Sequence, residues 1–286
     1  MDRKRNAKVN WVAMIHHLIV PGRKGNVLVN IVNYLSQRTS FVLMKNQADL
    51  ILVYDTPEGE NIKNELSRIG IPREKIMTAA NGVDYSSIIR IPDQPRTHDA
   101  CFVGGLRPSK GVFDLPRIWK IVRNEQLLAK FLIIGGGPAE KALRRDLVKD
   151  GLSNNVTMAG PLSGEELYKS MKSCRIFVSP SYEEGWGIAI CEAMSCRLPV
   201  VAYDLPAYEI FQDAISKVPV GDTEAFGKAA LELLTNRRLW DEASRKAVRT
   251  AERFDWDRAA EKEWAVLGRL GDRLVTDVKD EMSKGS

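Results

Sequence analysis

Cysteine, histidine, aromatic residues and long apolar runs are all scarce in this chain of 286 residues, and each scarcity excludes something. The 4 cysteines (Cys101, Cys174, Cys191, Cys196) fall in apolar or helical contexts without the paired spacing of a thiolate metal site. The 3 histidines include the adjacent His16 and His17 and offer no zinc spacing. No metal is therefore expected, and free core thiols point to a reducing, cytoplasmic setting. No apolar run approaches the ~20 residues of a membrane span, and Met1-Asp2-Arg3-Lys4-Arg5 lacks a signal peptide's apolar core. Aromatics make up 7% of the chain. With no aromatic platform or reader motif beside the basic residues, nucleic acid is not an expected partner.

The net charge of +5 is unevenly placed. Up to residue 48, Arg3, Lys4, Arg5, Lys8, Arg23, Lys24, Arg38 and Lys45 oppose only Asp2. Such a segment either lies against anionic lipid or an anionic acceptor, as a peripheral protein on the inner membrane face would, or forms an ordinary solvated surface.

Short apolar runs alternate with helical periodicity along the chain. Strands are expected at 9–15, 48–54, 76–78, 99–104, 131–134, 156–159, 176–178 and 200–202, and helices at 57–69, 111–122, 139–149 and from 222 onward. Ser163 and Glu166 have the spacing of a capping box. Continuous apolar strands separated by helices predict the α/β class, with parallel sheets covered on both faces and ligands at the strands' carboxyl ends. The proline-bearing stretch 91–98 reads as a hinge. The expected organisation is therefore a first domain over 1–97, a second over 98–255, and a last helix with a polar tail over 256–286, Asp255 being the N-cap.

The most informative stretch runs from Ser179 to Ala202: strand end, polar glycine-rich loop, short helix, next strand. Gly185 and Gly187 allow close backbone approach to a ligand, and the helix that follows points free N–H groups into the same space. Glu184 in the loop and Glu192 in the helix suit the two ends of an elongated polyhydroxyl ligand with negative charge between them. A nucleotide-sugar has that shape.

This segment resembles the E-x7-E signature of retaining GT-B glycosyltransferases, glycosyltransferase group 1. The resemblance implies two Rossmann-like domains with parallel sheets facing across a cleft. It implies that Glu184 binds the transferred sugar, that Glu192 holds the nucleotide ribose, and that backbone around Gly185, Trp186, Gly187 and Ile188 faces sugar and diphosphate. Gly104-Gly105-Leu106-Arg107-Pro108-Ser109-Lys110-Gly111 is similar to the family's Gly-Arg-Leu-x-x-x-Lys-Gly element, whose cations neutralise the diphosphate. Lys110 matches; Gly105 stands where the family has arginine, which leaves Arg107 as the substitute. Gly136 and Gly137 match a glycine-rich turn beside the nucleotide, and Gly160 a loop near the base. His16 occupies the place of a histidine that touches the donor sugar, Asn81-Gly82-Val83-Asp84 matches a junction motif, and Arg197 stands where glycine is usual.

The implied activity is transfer of a sugar from a UDP- or GDP-linked donor to a glycan or lipid-linked acceptor hydroxyl, with retention and without metal or other cofactor. The alternative is a nucleotide-sugar-binding module without turnover. The first lobe is expected to be incomplete, lacking the strand–helix units with which the family begins.

Overall fold

The computed structural model describes residues 12–15, 36, 39–54, 57–79, 81–261, 263–265 and 268. The chain divides into two compact units, residues 1–81 and 82–286. The division falls ahead of the 91–98 stretch assigned above to a hinge, which is hydrogen-bonded to the second unit through one buried and one exposed cation. Lys172, only 2% exposed, donates from Nζ to the carbonyl of Ile91. Arg96 donates to the carbonyls of Lys172 and Cys174. These bonds tie the stretch to the second unit.

In the first unit, β1 (Val12–Ile15), β2 (Leu50–Tyr54) and β3 (Ile76–Ala79) pair in parallel in that order. Helix α1 (Pro57–Arg68) contributes Ile62 and Leu66 to a core shared with Ala13, Phe41, Ile51 and Val53. Leu66, Ile51 and Val53 are fully buried, so the apolar run of β2 is explained by burial rather than by amphipathic alternation.

The second unit is built on six parallel strands: β4 (His98–Val103), β5 (Phe131–Ile134), β6 (Val156–Gly160), β7 (Cys174–Ser179), β8 (Val200–Tyr203) and β9 (Ser216–Val218). Their order across the sheet is β6-β5-β4-β7-β8-β9. The chain thus winds outward from β4 in one direction, then returns to β7 and winds the other way, which is the doubly wound arrangement. Among the described residues, helices α2 (Tyr85–Arg90), α3 (Leu115–Glu125), α4 (Glu140–Lys149), α5 (Gly164–Lys172), α6 (Ile188–Ser195), α7 (Thr223–Thr235) and α8 (Arg237–Glu252) flank it.

Strand alternation splits the core into two layers. Cys101, Phe177, Val200 and Ala202 face α5, α6 and α8; Ala100, Phe102, Ile176, Val178 and Val201 face α3, α4 and α7. Trp119 of α3 stacks on Phe131 with ring centroids 4.8 Å apart. The last helix opens as its sequence predicts, with Asp255 Oδ1 accepting from the Asp257 N–H at 3.4 Å.

The helix expected over 111–122 begins at Leu115, because Pro108–Lys110 forms a 3₁₀ turn and Gly111 follows in the left-handed region at φ 65°. The capping box is not made: Ser163 is the N-cap of α5 but its side chain accepts no cap hydrogen bond, and Gly164 enters the helix at φ 56°. Arg197 does adopt the conformation normally given to glycine, at φ 65°. Its N–H bonds the carbonyl of Met194, and that of Leu198 bonds Ala193, the paired closure of a Schellman cap. Arg197→Gly should therefore raise stability by about 0.5–1 kcal/mol, the left-handed strain of a Cβ outweighing the extra chain entropy of glycine. Thermal melting checks it, and an unchanged or lower midpoint refutes it. Among the described residues no helix is long and apolar enough to cross a membrane, and no group of three or more His, Cys, Asp or Glu could hold a metal ion.

Candidate functional site

The loops after β4 and β7 leave the sheet side by side, where the winding reverses, at the carboxyl ends of the strands. Ligands of doubly wound sheets bind at this position. The loops are joined to each other: the Tyr182 N–H donates to the carbonyl of Ser109 at 2.9 Å. They also approach too closely for a side chain, since a Cβ on Gly111 would lie 1.8 Å from the carbonyl oxygen of Pro180. Beneath them Asp114, 6% exposed, accepts from the hydroxyls of Tyr182 at 2.6 Å and Tyr203 at 2.8 Å. The bond to Asp114 is the main cause that raises the Tyr182 pKa, whereas burial dominates for Tyr203.

The turn after β5 joins the same platform through backbone alone. A Cβ on Gly135 would meet the Gly104 carbonyl at 1.9 Å, and one on Gly137 the Leu106 carbonyl at 2.5 Å. Leu106 N–H bonds the Gly136 carbonyl at 3.0 Å, and Gly135 N–H bonds that of Gly160 at 2.8 Å. Gly104, Gly105, Gly136, Gly137 and Gly160 thus lie along one bonded ledge at the sheet's edge of β4, β5 and β6.

Two of the charged residues singled out in the sequence meet. Lys110 Nζ lies 2.5 Å from Glu184 Oε1, with the side chains 30% and 18% exposed. Ser181, 1% exposed, donates to the same Oε1 at 3.0 Å. Glu184 Oε2 has no hydrogen-bond partner among the described residues. Arg107 is exposed, on extended backbone, and its guanidinium has no partner among the described residues. Glu192 sits on α6, half-buried, and accepts from the Tyr168 hydroxyl at 2.9 Å. Burial raises its pKa, and the Tyr168 bond works against that rise.

The rest of the predicted set is placed less evenly. Trp186 turns its ring into the core, edge-on to Phe211 at 5.6 Å and Phe254 at 5.2 Å, so only its backbone faces the loop. Gly187 is the N-cap of α6 and Ile188, 51% exposed, is its first residue. Gly185 lies half-buried between Glu184 and Trp186. His16 and His17 lie outside the described residues. Sequence reasoning missed Asp114, Tyr168 and Tyr203, whose partners are 24 to 89 residues away in the chain. Ser181 carried a usable signal, three positions before Glu184 in a loop.

Residues 97–236, which span both loops, match the family model for glycosyl transferases group 1. These residues are a group 1 glycosyltransferase domain. The chain also resembles relatives of known name. A D-inositol 3-phosphate glycosyltransferase of Mycobacteroides abscessus is 32% identical over 177 residues, 59% of this chain and 38% of that protein. An O-antigen chain mannosyltransferase B of Escherichia coli is 27% identical over 161 residues, 55% of this chain and 42% of that one. The chain therefore aligns with about two fifths of either relative's length. Anabaena HepE, solved in complex with UDP and glucose, superposes with a TM-score of 0.71 at 17% identity, over 91% of this chain and 71% of its own. At that identity the likeness establishes the fold, which is GT-B.

Proposed function

We propose that this chain transfers a sugar from a UDP- or GDP-linked donor to an acceptor hydroxyl, with retained anomeric configuration and without a metal. The observation that carries the reading is the contact between Lys110 and Glu184, made by the two loops at the switch point of the sheet. A cation and a carboxylate held together there fit a ligand in which a pyrophosphate adjoins a polyhydroxyl ring. Lys110 would exchange its carboxylate partner for phosphate oxygens, and unpartnered Arg107 would add a second cation. Free N–H groups at the start of α6 favour the same negative charge. Glu184 would orient the sugar through Oε2, and Glu192 would hold the ribose.

In the step itself the anomeric carbon–phosphate oxygen bond breaks and a bond to the acceptor oxygen forms on the same face. The departing phosphate takes the acceptor's proton, so no protein nucleophile is required. Electrostatic stabilisation of the leaving group is then the main contribution of the protein. The acceptor class proposed is a glycan or lipid-linked hydroxyl, in keeping with relatives named for inositol phosphate and O-antigen chains. A cytoplasmic setting agrees with four buried unpaired thiols.

Calorimetry with UDP, GDP and ADP, followed by donor turnover, tests the reading. Glu192→Ala should weaken nucleoside diphosphate binding by roughly tenfold or more, the cost of losing a charged hydrogen-bond acceptor. Glu184→Ala should leave that affinity within about threefold while reducing turnover. Unchanged affinity in Glu192→Ala removes the ribose assignment. Binding without turnover leaves a nucleotide-sugar-binding module, and failure to bind any of the three nucleotides removes the proposal.

A further inference from the structure

Glu192 has one oxygen engaged and one open. Its Oε1 accepts from the Tyr168 hydroxyl at 2.9 Å, and its Oε2 has no hydrogen-bond partner among the described residues. Tyr168 comes from α5, the helix that follows the Gly160 turn, and its ring packs against the core layer beneath α6. Its backbone carbonyl accepts from Cys196 Sγ at 3.9 Å, at the C-cap of the helix that carries Glu192. Tyr168 is thus tied to α6 twice, once at the carboxylate and once at the helix end. A carboxylate on a flexible Glu side chain loses rotamer freedom when it binds a ligand, and a fixed donor at one oxygen removes part of that cost beforehand.

We infer that Tyr168 is a positioning residue for ribose recognition: it holds Glu192 by Oε1 and so presents Oε2 to the 2′,3′-diol of a bound nucleotide. The inference rests on the nucleotide reading above and goes beyond it, because it assigns ribose selectivity to a residue that never touches the ligand. Burial would otherwise favour the neutral acid, and a hydroxyl donor favours the ionised form that a diol requires.

The experiment is titration of the full chain with UDP or GDP, whichever the wild type binds, and with the 2′-deoxy and 3′-deoxy forms of the same nucleotide. The variant is Tyr168→Phe, which keeps the ring and its packing. The wild type should prefer the ribose form by about tenfold or more. In Tyr168→Phe the ribose affinity should fall about three- to tenfold while the deoxy affinities stay within about twofold, so the preference collapses. Glu192→Gln, which keeps the side chain's shape, should lose the preference in the same way. A Tyr168→Phe variant that keeps the full preference overturns the inference. So does an equal loss for ribose and deoxy forms, which marks a merely structural role, and so does a wild type that binds nucleotide without preferring ribose. A wild type that binds no nucleotide at all instead removes the underlying reading.

Discussion

Lys110→Ala is expected to lower donor turnover by roughly 10²–10³, the scale seen when one preorganised donor to developing negative charge is removed. The resting ion pair does not set that number. Both side chains are partly exposed, at 30% and 18%, and an exposed pair contributes at most about 1 kcal/mol to folding. Glu184 also keeps Ser181 as a donor after the substitution. The variant should therefore melt close to the wild type while its chemistry fails. The discriminating measurement is release of nucleoside diphosphate from the donor, beside a thermal melt. Turnover within tenfold of wild type would mean that Lys110 only seats the loop. A large drop in melting temperature would mean that the pair belongs to the fold.

Gly111→Ala is expected to destabilise the second unit by about 3 kcal/mol, combining overpacking with left-handed strain. The added carbon would sit 1.8 Å from the Pro180 carbonyl, and backbone cannot yield as a side chain tip can. At the size of this unit the loss corresponds to a fall of about 6–12 °C in the midpoint. Two controls separate the causes. Gly160 has φ 75° but nothing within 4 Å of a built Cβ, so Gly160→Ala should cost only the backbone strain less the entropy glycine loses on folding, about 0.5–1 kcal/mol. Gly105 has neither a positive φ nor a contact closer than 3.6 Å, so Gly105→Ala should be near neutral. Melting temperatures that do not follow the order Gly105, Gly160, Gly111 would show that the loops part more easily than their geometry indicates.

The fold was legible wherever burial is two-sided. Phe131-Leu132-Ile133-Ile134 is apolar at every position because helices cover both faces of β5, and its four residues are all buried. The site was legible as separate motifs, not as a constellation. Lys110 and Glu184 are 74 positions apart, and only the adjacency of β4 and β7 brings them together. Trp186 reads as a loop aromatic, yet Phe211 and Phe254, both later in the chain, draw it inward. Tyr168 lies beside Leu167 on an ordinary amphipathic helix, so its bond to Glu192 leaves no trace in periodicity. Asp114 stands at the N-cap of α3 but makes no side-chain cap bond there, its carboxylate serving two tyrosines instead.

All four cysteines belong to one face of the six-stranded sheet, each at most 1% exposed. Burial also pushes three of the thiols away from reactivity, Cys196 up to about 12 and Cys101 and Cys191 upward as well. An alkylating reagent must therefore wait for that layer to open. The rate at which label accumulates reports the opening of this face directly. The wild-type protein thus carries its own probe of local unfolding and needs no engineered thiol.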